Sequence, residues 1–567
     1  MIKSDYSFTF SAENSLKMTK RPLSLLGFVI VISMVVACNK VPKHAQYIPK
    51  DVMMVGTINM KNLSQKLIWS AITGSDLFEE MQKNVGNEES KSAMKDISNI
   101  GLNQLSTAYF YFTGDFKTKG TACVVLSMKD AGRFEKFVGK NYPKAKVEDK
   151  GTYKCSALES GLIAAWNKEV GLFFPTQSGT GGMLSMEDVQ KAMEQSFNLK
   201  KEESVVSLEH FNTLQTEDHD MSFWLNYESM YQMNAEWNSG PAQAFMKPEY
   251  FKDAALATGI NFEKGSVDAE MDYYMSKELS DIYNKYAKDA NSKELAENLP
   301  SGDVAFLMSY QFKAEMIREF LAKFKLDGLA DIGLMAIGTS MGTLTEAFNG
   351  DMVIALTDMK KVSDSDSSSF PTKFEFFMAM KQNDPAAVEK LLKMGVKNEL
   401  LIRSGNNYKL SQSSSDFTIV NDKKYLTAST RGEYTKQFLS GQKEPVTTIP
   451  KEVMAELNAN PFTFYVNMQQ VLNSFPIETS DPDEKSLMDE GLKMFTYAEM
   501  HGGKMKKGAN HIEGQLNFTN KSENALIQII HFAMKAKKIS DKKKTPATEE
   551  VSAKNEEAEA DSSSVPQ

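Results

Sequence analysis

The sequence predicts an α+β fold in two similar halves, each an antiparallel sheet packed with helices. Three observations predict it. Apolar runs come in pairs around turns that contain Asn or Gly, as in AAWNKEVGLFF and TIVNDKKYLTA, and tight turns join antiparallel strands. Helical stretches break groups of strands instead of following every strand, which is the α+β pattern. The same order of blocks then occurs twice along the chain, so an internal duplication is expected.

The first half, residues 48–298, opens on Pro49-Lys50-Asp51-Val52 and VMMVGTINM; the second, residues 299–538, opens on Pro300-Ser301-Gly302-Asp303-Val304 and VAFLMSYQF. Each opening reads as a strand running into a helix. Next come VVLSMKDAGRFEKFV and FFMAMKQNDPAAVEKLL, aligned on Met128-Lys129 with Met380-Lys381 and on Glu135-Lys136 with Glu389-Lys390. Tyr153-Lys154-Cys155-Ser156 matches Tyr408-Lys409-Leu410-Ser411, and Phe223-Trp224-Leu225-Asn226 matches Phe464-Tyr465-Val466-Asn467. Each half closes on two alternating strands around a Gly-containing turn. A serine follows, Ser276 or Ser522, at the N-cap position of an amphipathic helix. Four strand-to-helix corners carry an amide: Asn59, Asn226, Asn467 and, loosely, Gln311. A recurring binding position and a recurring N-cap both fit; Asn is among the best N-caps, so capping is the expectation. After about Ser540 the chain is poor in apolar residues and blocky in charge, so residues 539–567 read as a disordered tail.

Composition removes several function classes. The 567 residues are 41% hydrophobic and 25% charged, an ordinary folding mixture. The net charge of −9 argues against general nucleic-acid binding, which needs a basic face. Three cysteines exclude a disulfide-rich scaffold and a tetrathiolate zinc site. Six histidines leave little material for a metalloenzyme, and no cofactor is expected.

The N-terminus carries an address. LSLLGFVIVISMVVA (23–37) follows Lys20-Arg21 and has the charge, length and apolarity of a secretory signal. It is short for a bilayer span, which needs roughly 20 apolar residues. Val35-Val36-Ala37-Cys38 resembles the bacterial lipobox, which implies cleavage before Cys38 and lipid attachment there. Residues 1–17 hold Asp5 and Glu13 and no targeting pattern, so Met18 is the better start. Residues 38–47 then form a tether, and the membrane is reached through lipid.

The lipobox, the short linker, Ile48-Pro49-Lys50-Asp51-Val52-Met53-Met54-Val55 and then Ile58-Asn59-Met60-Lys61-Asn62-Leu63 resemble the opening of large Bacteroidota lipoproteins grouped as a domain of unknown function. The resemblance implies an outer-membrane lipoprotein and transfers no catalytic residue or ligand. Exported surface lipoproteins of that phylum carry acidic residues after the cysteine. Asn39-Lys40-Val41-Pro42-Lys43 departs from that pattern, which favours the periplasmic face over surface display.

Candidates for chemistry are few. Gly338-Thr339-Ser340-Met341-Gly342 fits the G-x-S-x-G nucleophile elbow, which requires a strand–turn–helix setting. Asp351 or Asp358 with His501, His511 or His531 would complete a triad by order alone. Glu217-Asp218-His219-Asp220 is a metal candidate, but neighbours on a strand point apart, so a solvated loop is expected. Ser363–Ser369 and Asp481-Pro482-Asp483-Glu484 read as solvated turns or caps, lacking an EF-hand's glycine and terminal Glu. His501-Gly502-Gly503-Lys504 reads as a hairpin turn. Cys123 and Cys155 lie in one repeat unit and are a candidate disulfide. The function expected is a non-enzymatic envelope binding or scaffold protein with an unidentified envelope partner. The alternatives are a periplasmic carrier of lipid or another hydrophobic ligand and, further off, a Ser340 hydrolase.

Overall fold

The structure is a computed structural model. It describes residues 41–66, 100–115, 119–158, 161–176, 186–233, 246–286, 293–311, 313–361, 372–411, 417–441, 448–474, 479 and 481–544. The expected signal segment, Cys38, the Ser363–Ser369 run and most of the charged tail lie outside them. The chain forms two compact units. One takes residues up to 52 and 57–207; the other takes 53–56 and everything from 208. Strand β1 (Met54–Ile58) begins in the second unit and ends in the first.

In the first unit, α1 (Met60–Lys66) leads to β2 (Ala108–Asp115), β3 (Lys119–Ser127) and α2 (Ala131–Asn141). Strands β4 (Glu148–Asp149), β5 (Lys154–Leu158), β6 (Leu162–Trp166) and β7 (Val170–Pro175) follow, then α3 (Met186–Asn198). The sheet order is β2-β3-β7-β6-β5-β4, antiparallel throughout. Asn167 makes the predicted turn, its side chain accepting from the N–H groups of Glu169 (2.8 Å) and Val170 (3.0 Å). Trp166 and Phe134 pack edge-to-face, 5.1 Å between ring centres, in the unit's core.

The second unit contains α4 (Glu209–Thr216), β8 (Met221–Asn226), α5 (Tyr227–Met233), β9 (Ala255–Glu263), β10 (Ser266–Tyr274), α6 (Lys277–Tyr286) and α7 (Lys293–Glu297). It continues through β11 (Val304–Tyr310), α8 (Ala314–Lys323), α9 (Asp327–Ala336), α10 (Met341–Ala347), β12 (Phe348–Lys361), β13 (Thr372–Gln382) and α11 (Pro385–Lys397). Then come β14 (Leu401–Ser404), β15 (Asn407–Leu410), β16 (Thr418–Asn421), β17 (Tyr425–Ser429), α12 (Gly432–Ser440) and α13 (Lys451–Ala459). The chain closes with β18 (Phe462–Asn467), α14 (Met468–Ser474), α15 (Pro482–Met494), β19 (Phe495–Lys506), β20 (Ala509–Phe518) and α16 (Ala525–Lys544). The strands run β8-β9-β10-β20-β19-β18-β11-β12-β13-β17-β16-β15-β14, all antiparallel. The join is β10 to β20, Ser266 opposite Asn517 through Tyr273 opposite Asn510. Because of that join, residues 208–298 cluster with the later chain, and the compact units do not divide at 298/299.

The two faces of this sheet differ. On one, Trp224, Ala257, Leu307, Val353, Phe377 and Tyr465 are buried, and α7, α12 and α13 supply Leu295, Phe438, Val453 and Leu457 to the core around the last four of these. On the other, the cross-strand row Ile260, Met500, Phe464, Met308, Ile354 and Met378 is only half-buried.

Capping explains the recurring asparagines. The side-chain oxygens of Asn59, Asn226 and Asn467 accept from the N–H groups of Asn62 (3.2 Å), Ser229 (3.1 Å) and Gln470 (3.0 Å). Each satisfies an orphan donor of the following helix. Gln311 differs: its backbone N–H donates to Pro461 O, and the next helix begins only at Ala314. Asn226→Ala and Asn467→Ala should each cost about 1 kcal/mol, measured by urea unfolding, with Gln311→Ala lacking a capping loss.

Several expectations are corrected. Met128 N–H donates to Glu169 O, and Gln382 N–H donates to Lys424 O. Asp130 and Asp384 then cap α2 and α11. Asn524, not Ser522, caps α16, accepting from Leu526 N–H at 2.9 Å. The helix continues through Lys544, past the expected start of the tail. Cys123 and Cys155 are free and buried. They lie on β3 and β5, with β7 and β6 between them, so roughly 14 Å of strand spacing separates them, beyond disulfide reach.

Candidate functional site

The polar residues of the second unit converge along β10 and β20. Because alternate residues share a face, Asp268, Glu270 and Asp272 stand beside their partners Gln515, Glu513 and His511. Glu499 and His501 of β19 extend the row opposite Gln515 and Glu513. Helix α4 and its following loop bring in Glu217 and His219, and α13 brings in Glu456. Buried aromatic side chains, Trp224 and Tyr465, lie on the same face to either side.

Histidines stitch this stripe together. His511 Nδ1 meets Asp272 Oδ1 at 2.7 Å and its Nε2 meets Glu513 Oε1 at 2.9 Å. Burial opposes the charge on His511, but those two carboxylates outweigh it and its pKa is raised. The hydrogen bond from His511 holds Glu513 below the usual carboxylate range. That matters because Glu270 and Glu513 are directly opposed, and like charges in that position repel. His501 Nε2 lies 3.6 Å from both Glu456 Oε2 and Glu513 Oε2. Burial raises the pKa of Glu499, with His501 opposing.

The signs set a pH window. A raised histidine pKa contributes stability below the unfolded value of 6.5, lost as pH rises through the folded value,. A depressed glutamate contributes above 4.5, lost as pH falls through its folded value,. The pair is therefore strongest between those values. Thermal melts should fall in Tm above pH 6.5, and His511→Gln should remove that slope; an unchanged slope would place its origin elsewhere.

His219, Glu217 and Glu270 bring one ligand atom each within 4.8 Å of one another. The expected solvated loop is corrected here, for His219 and Asp220 are buried. Gly259 makes the room: a Cβ there would lie 2.3 Å from the imidazole. Asp220 Oδ2 accepts from Phe262 N–H at 2.7 Å, pinning the loop to β9. The surroundings do not suit a metal. Asn261 Oδ1 accepts from Asp220 N–H (3.1 Å), so its NH₂ faces His219 Nδ1 (3.4 Å). The proton then sits on Nε2, aimed at Glu217 Oε2, 3.3 Å away. A ligating histidine needs the reverse, a bare nitrogen on the ion and the other N–H donating.

The remaining candidates serve the fold. Ser340 lies between two helices, α9 and α10, not on a strand-to-helix elbow. Its hydroxyl caps α10, accepting from Thr343 N–H at 3.2 Å. Asp481 caps α15, accepting from Asp483 and Glu484 N–H. His501-Gly502-Gly503-Lys504 is a bulge inside β19, where the register shifts between Gly502 and Lys504; the hairpin turns at Lys507-Gly508, both at positive φ. Glu270, Asp272, Glu456, Glu499 and Glu513 were not singled out by sequence reasoning. Only strand alternation marked the four on β10, β19 and β20, Glu456 sits on helix α13, and the partners of His511 lie as far as 239 residues away.

Comparison with known proteins adds a family and little else. No curated protein matches. Two solved structures show distant likeness. "Structure of crystal form IV of TP0453" is 9% identical, with 43% of this chain and 85% of that one covered, at a TM-score of 0.25. "Structure of crystal form III of TP0453" is 8% identical, with 46% and 88% covered, at 0.24. The family model described as Domain of unknown function (DUF4836) matches residues 44–473, which takes in both opening strand-to-helix blocks and both Phe-aromatic-apolar-Asn corners. The chain belongs to the DUF4836 family.

Proposed function

We propose that this protein is a lipid-anchored cell-envelope protein, tethered through Cys38 on the periplasmic face of the outer membrane, that binds or scaffolds another envelope component without catalysis. The observation that carries the non-enzymatic reading is that the reactive side chains are spent on structure. Ser340 and Asp481 cap helices, and His511 is held between two carboxylates. The tether rests on the lipobox and the basic, apolar segment before it.

The body we read as an internal duplication. Supporting it, β2-β3-β7-β6-β5-β4 in the first unit has the strand order of β12-β13-β17-β16-β15-β14 in the second. The run β8-β9-β10 likewise matches β18-β19-β20, and β10 and β20 pair antiparallel as the seam.

A non-penetrating protease applied to intact cells tests placement. Protection until lysis fits the periplasmic face; digestion on intact cells moves the body to the surface. A serine-directed probe tests the absence of catalysis, because labelling abolished by Ser340→Ala would overturn it. The half-buried row of Ile260, Met500, Phe464, Met308, Ile354 and Met378 favours a second reading, a carrier of an apolar ligand. Co-purified lipid, identified by mass spectrometry, would support it.

A further inference from the structure

Helix α9 is built inside out. Asp327–Ala336 has no buried residue, yet Leu329 is 61% exposed, Ile332 67% and Met335 69%, with Ile337 at 47% just beyond. Leu329, Ile332 and Met335 recur every third residue, which makes one stripe along the helix. The helix is nevertheless fixed in place. It packs between α8 and α10, and Asp331 Oδ1 accepts from Met341 N–H at 2.9 Å. At its far end Asn398 Nδ2 donates to Ile337 O at 2.7 Å, tying it to α11.

Basic side chains border the stripe. Lys325 precedes the helix and is exposed. Beside its far end, α11 presents an open hollow of about 460 Å³ lined by Ala386, Glu389, Lys390, Lys393, Met394 and Lys397. The Met394 methyl reaches 3.4 Å from where a Cβ on Gly338 would stand, so the hollow adjoins the end of α9. Glu389 holds its carboxylate against Tyr408 (3.0 Å) and Asn421 (3.2 Å) and pairs with Lys393 at 3.7 Å. Among the described residues Lys325, Lys390 and Lys397 have no ion-pair partner.

We infer that α9 is a membrane-docking element: Leu329, Ile332 and Met335 enter the acyl boundary of a bilayer, and the α11 lysines receive its anionic headgroups. An aliphatic helix face bordered by basic residues is the interfacial pattern. Long lysine stems can lie on apolar surface while their charge reaches phosphate. The stripe has no aromatic or arginine anchor of the kind that dominates protein interfaces. The inference rests on the tethered reading only for how the chain reaches a membrane.

The test uses the full lipid-modified chain with Ile332→Cys carrying an environment-sensitive dye. Cys123 and Cys155 are buried, and the unsubstituted chain taken through the same labelling is the blank. A second chain carries the dye at Lys277→Cys, on exposed surface of α6. On phosphatidylcholine vesicles containing phosphatidylglycerol, emission at position 332 should rise several-fold and shift to the blue, with position 277 unchanged. L329E/M335E in the Ile332→Cys chain should abolish the rise with the same melting temperature. K390E/K397E should remove the preference over pure phosphatidylcholine. Flat emission at 332 on a chain that floats with the vesicles would overturn the inference. So would an oligomer in solution that L329E/M335E dissolves, which would make a second copy the occupant. If Cys38 carries no lipid, the tethered reading fails, yet the dye at 332 should still respond at higher vesicle concentration.

Discussion

Trp224→Ala should destabilise the second unit by about 4 kcal/mol, the range for emptying a buried tryptophan site. The indole is fully buried on β8. Its Nε1–H donates to His210 Nδ1 at 2.9 Å, its ring stacks on that imidazole, and Phe211 meets it edge-on at 5.7 Å. Both partners belong to α4, so this one side chain clamps the helix onto the sheet. The loop after α4 delivers Glu217 and His219, so the substitution should also free the His219 ring, seen as a shift of its NMR resonances. Tyr465→Ala is the matching change on β18. Its hydroxyl donates to Thr448 O at 3.3 Å and its ring sits in the core below α13. A loss under about 1 kcal/mol in urea unfolding of Trp224→Ala, against the 3–5 expected, would show that α4 is held by something else.

Gly502→Ala should cost about 3 kcal/mol, and Gly508→Ala only about 1. Both glycines have positive φ, 150° and 84°, so both substitutions strain the backbone. They differ in room. A Cβ on Gly502 would lie 2.3 Å from His511 O and 2.7 Å from Ile512 Cα, whereas one on Gly508 would meet nothing within 4 Å. The Gly502 clash is with backbone of the neighbouring strand, which cannot rotate aside. The bulge lets His501 oppose Glu513 while Lys504 opposes His511. Gly502→Ala should therefore also disturb the pH slope in Tm that His511 creates. Equal losses for the two alanines would mean that the bulge yields.

Local chemistry made much of the fold legible. Asn167 marks a hairpin turn because Asn tolerates the turn and bonds its own backbone,, whereas Asn421 ends β16 with its side chain on Gln382 and Glu389; Asn59, Asn226 and Asn467 mark helix starts by bonding the backbone ahead of them,. Asp130 and Asp384 each cap a helix five residues before a Glu-Lys pair, Glu135-Lys136 and Glu389-Lys390. What was illegible is what depends on distant pairing. The seam joins Ser266 to Asn517, and no local pattern tells one amphipathic strand which other it will meet. The same distance hid the carboxylates around His511. Gly502-Gly503 misled because adjacent glycines signal a turn and a bulge needs the same backbone freedom. Glu217-Asp218-His219-Asp220 misled because its polarity suggested solvent, whereas Gly259, some 40 residues on, opens the space that buries the imidazole.

The proposed anchor at Cys38 is reached most directly by lipid labelling. Cells producing the chain are labelled with a clickable palmitate analogue and fractionated, alongside cells producing Cys38→Ala. The expected result is a labelled protein in the membrane fraction, with a mature N-terminus at Cys38, and no label on Cys38→Ala. An unlabelled wild-type protein that leaves the membrane in buffer, or one whose label survives Cys38→Ala, would contradict it.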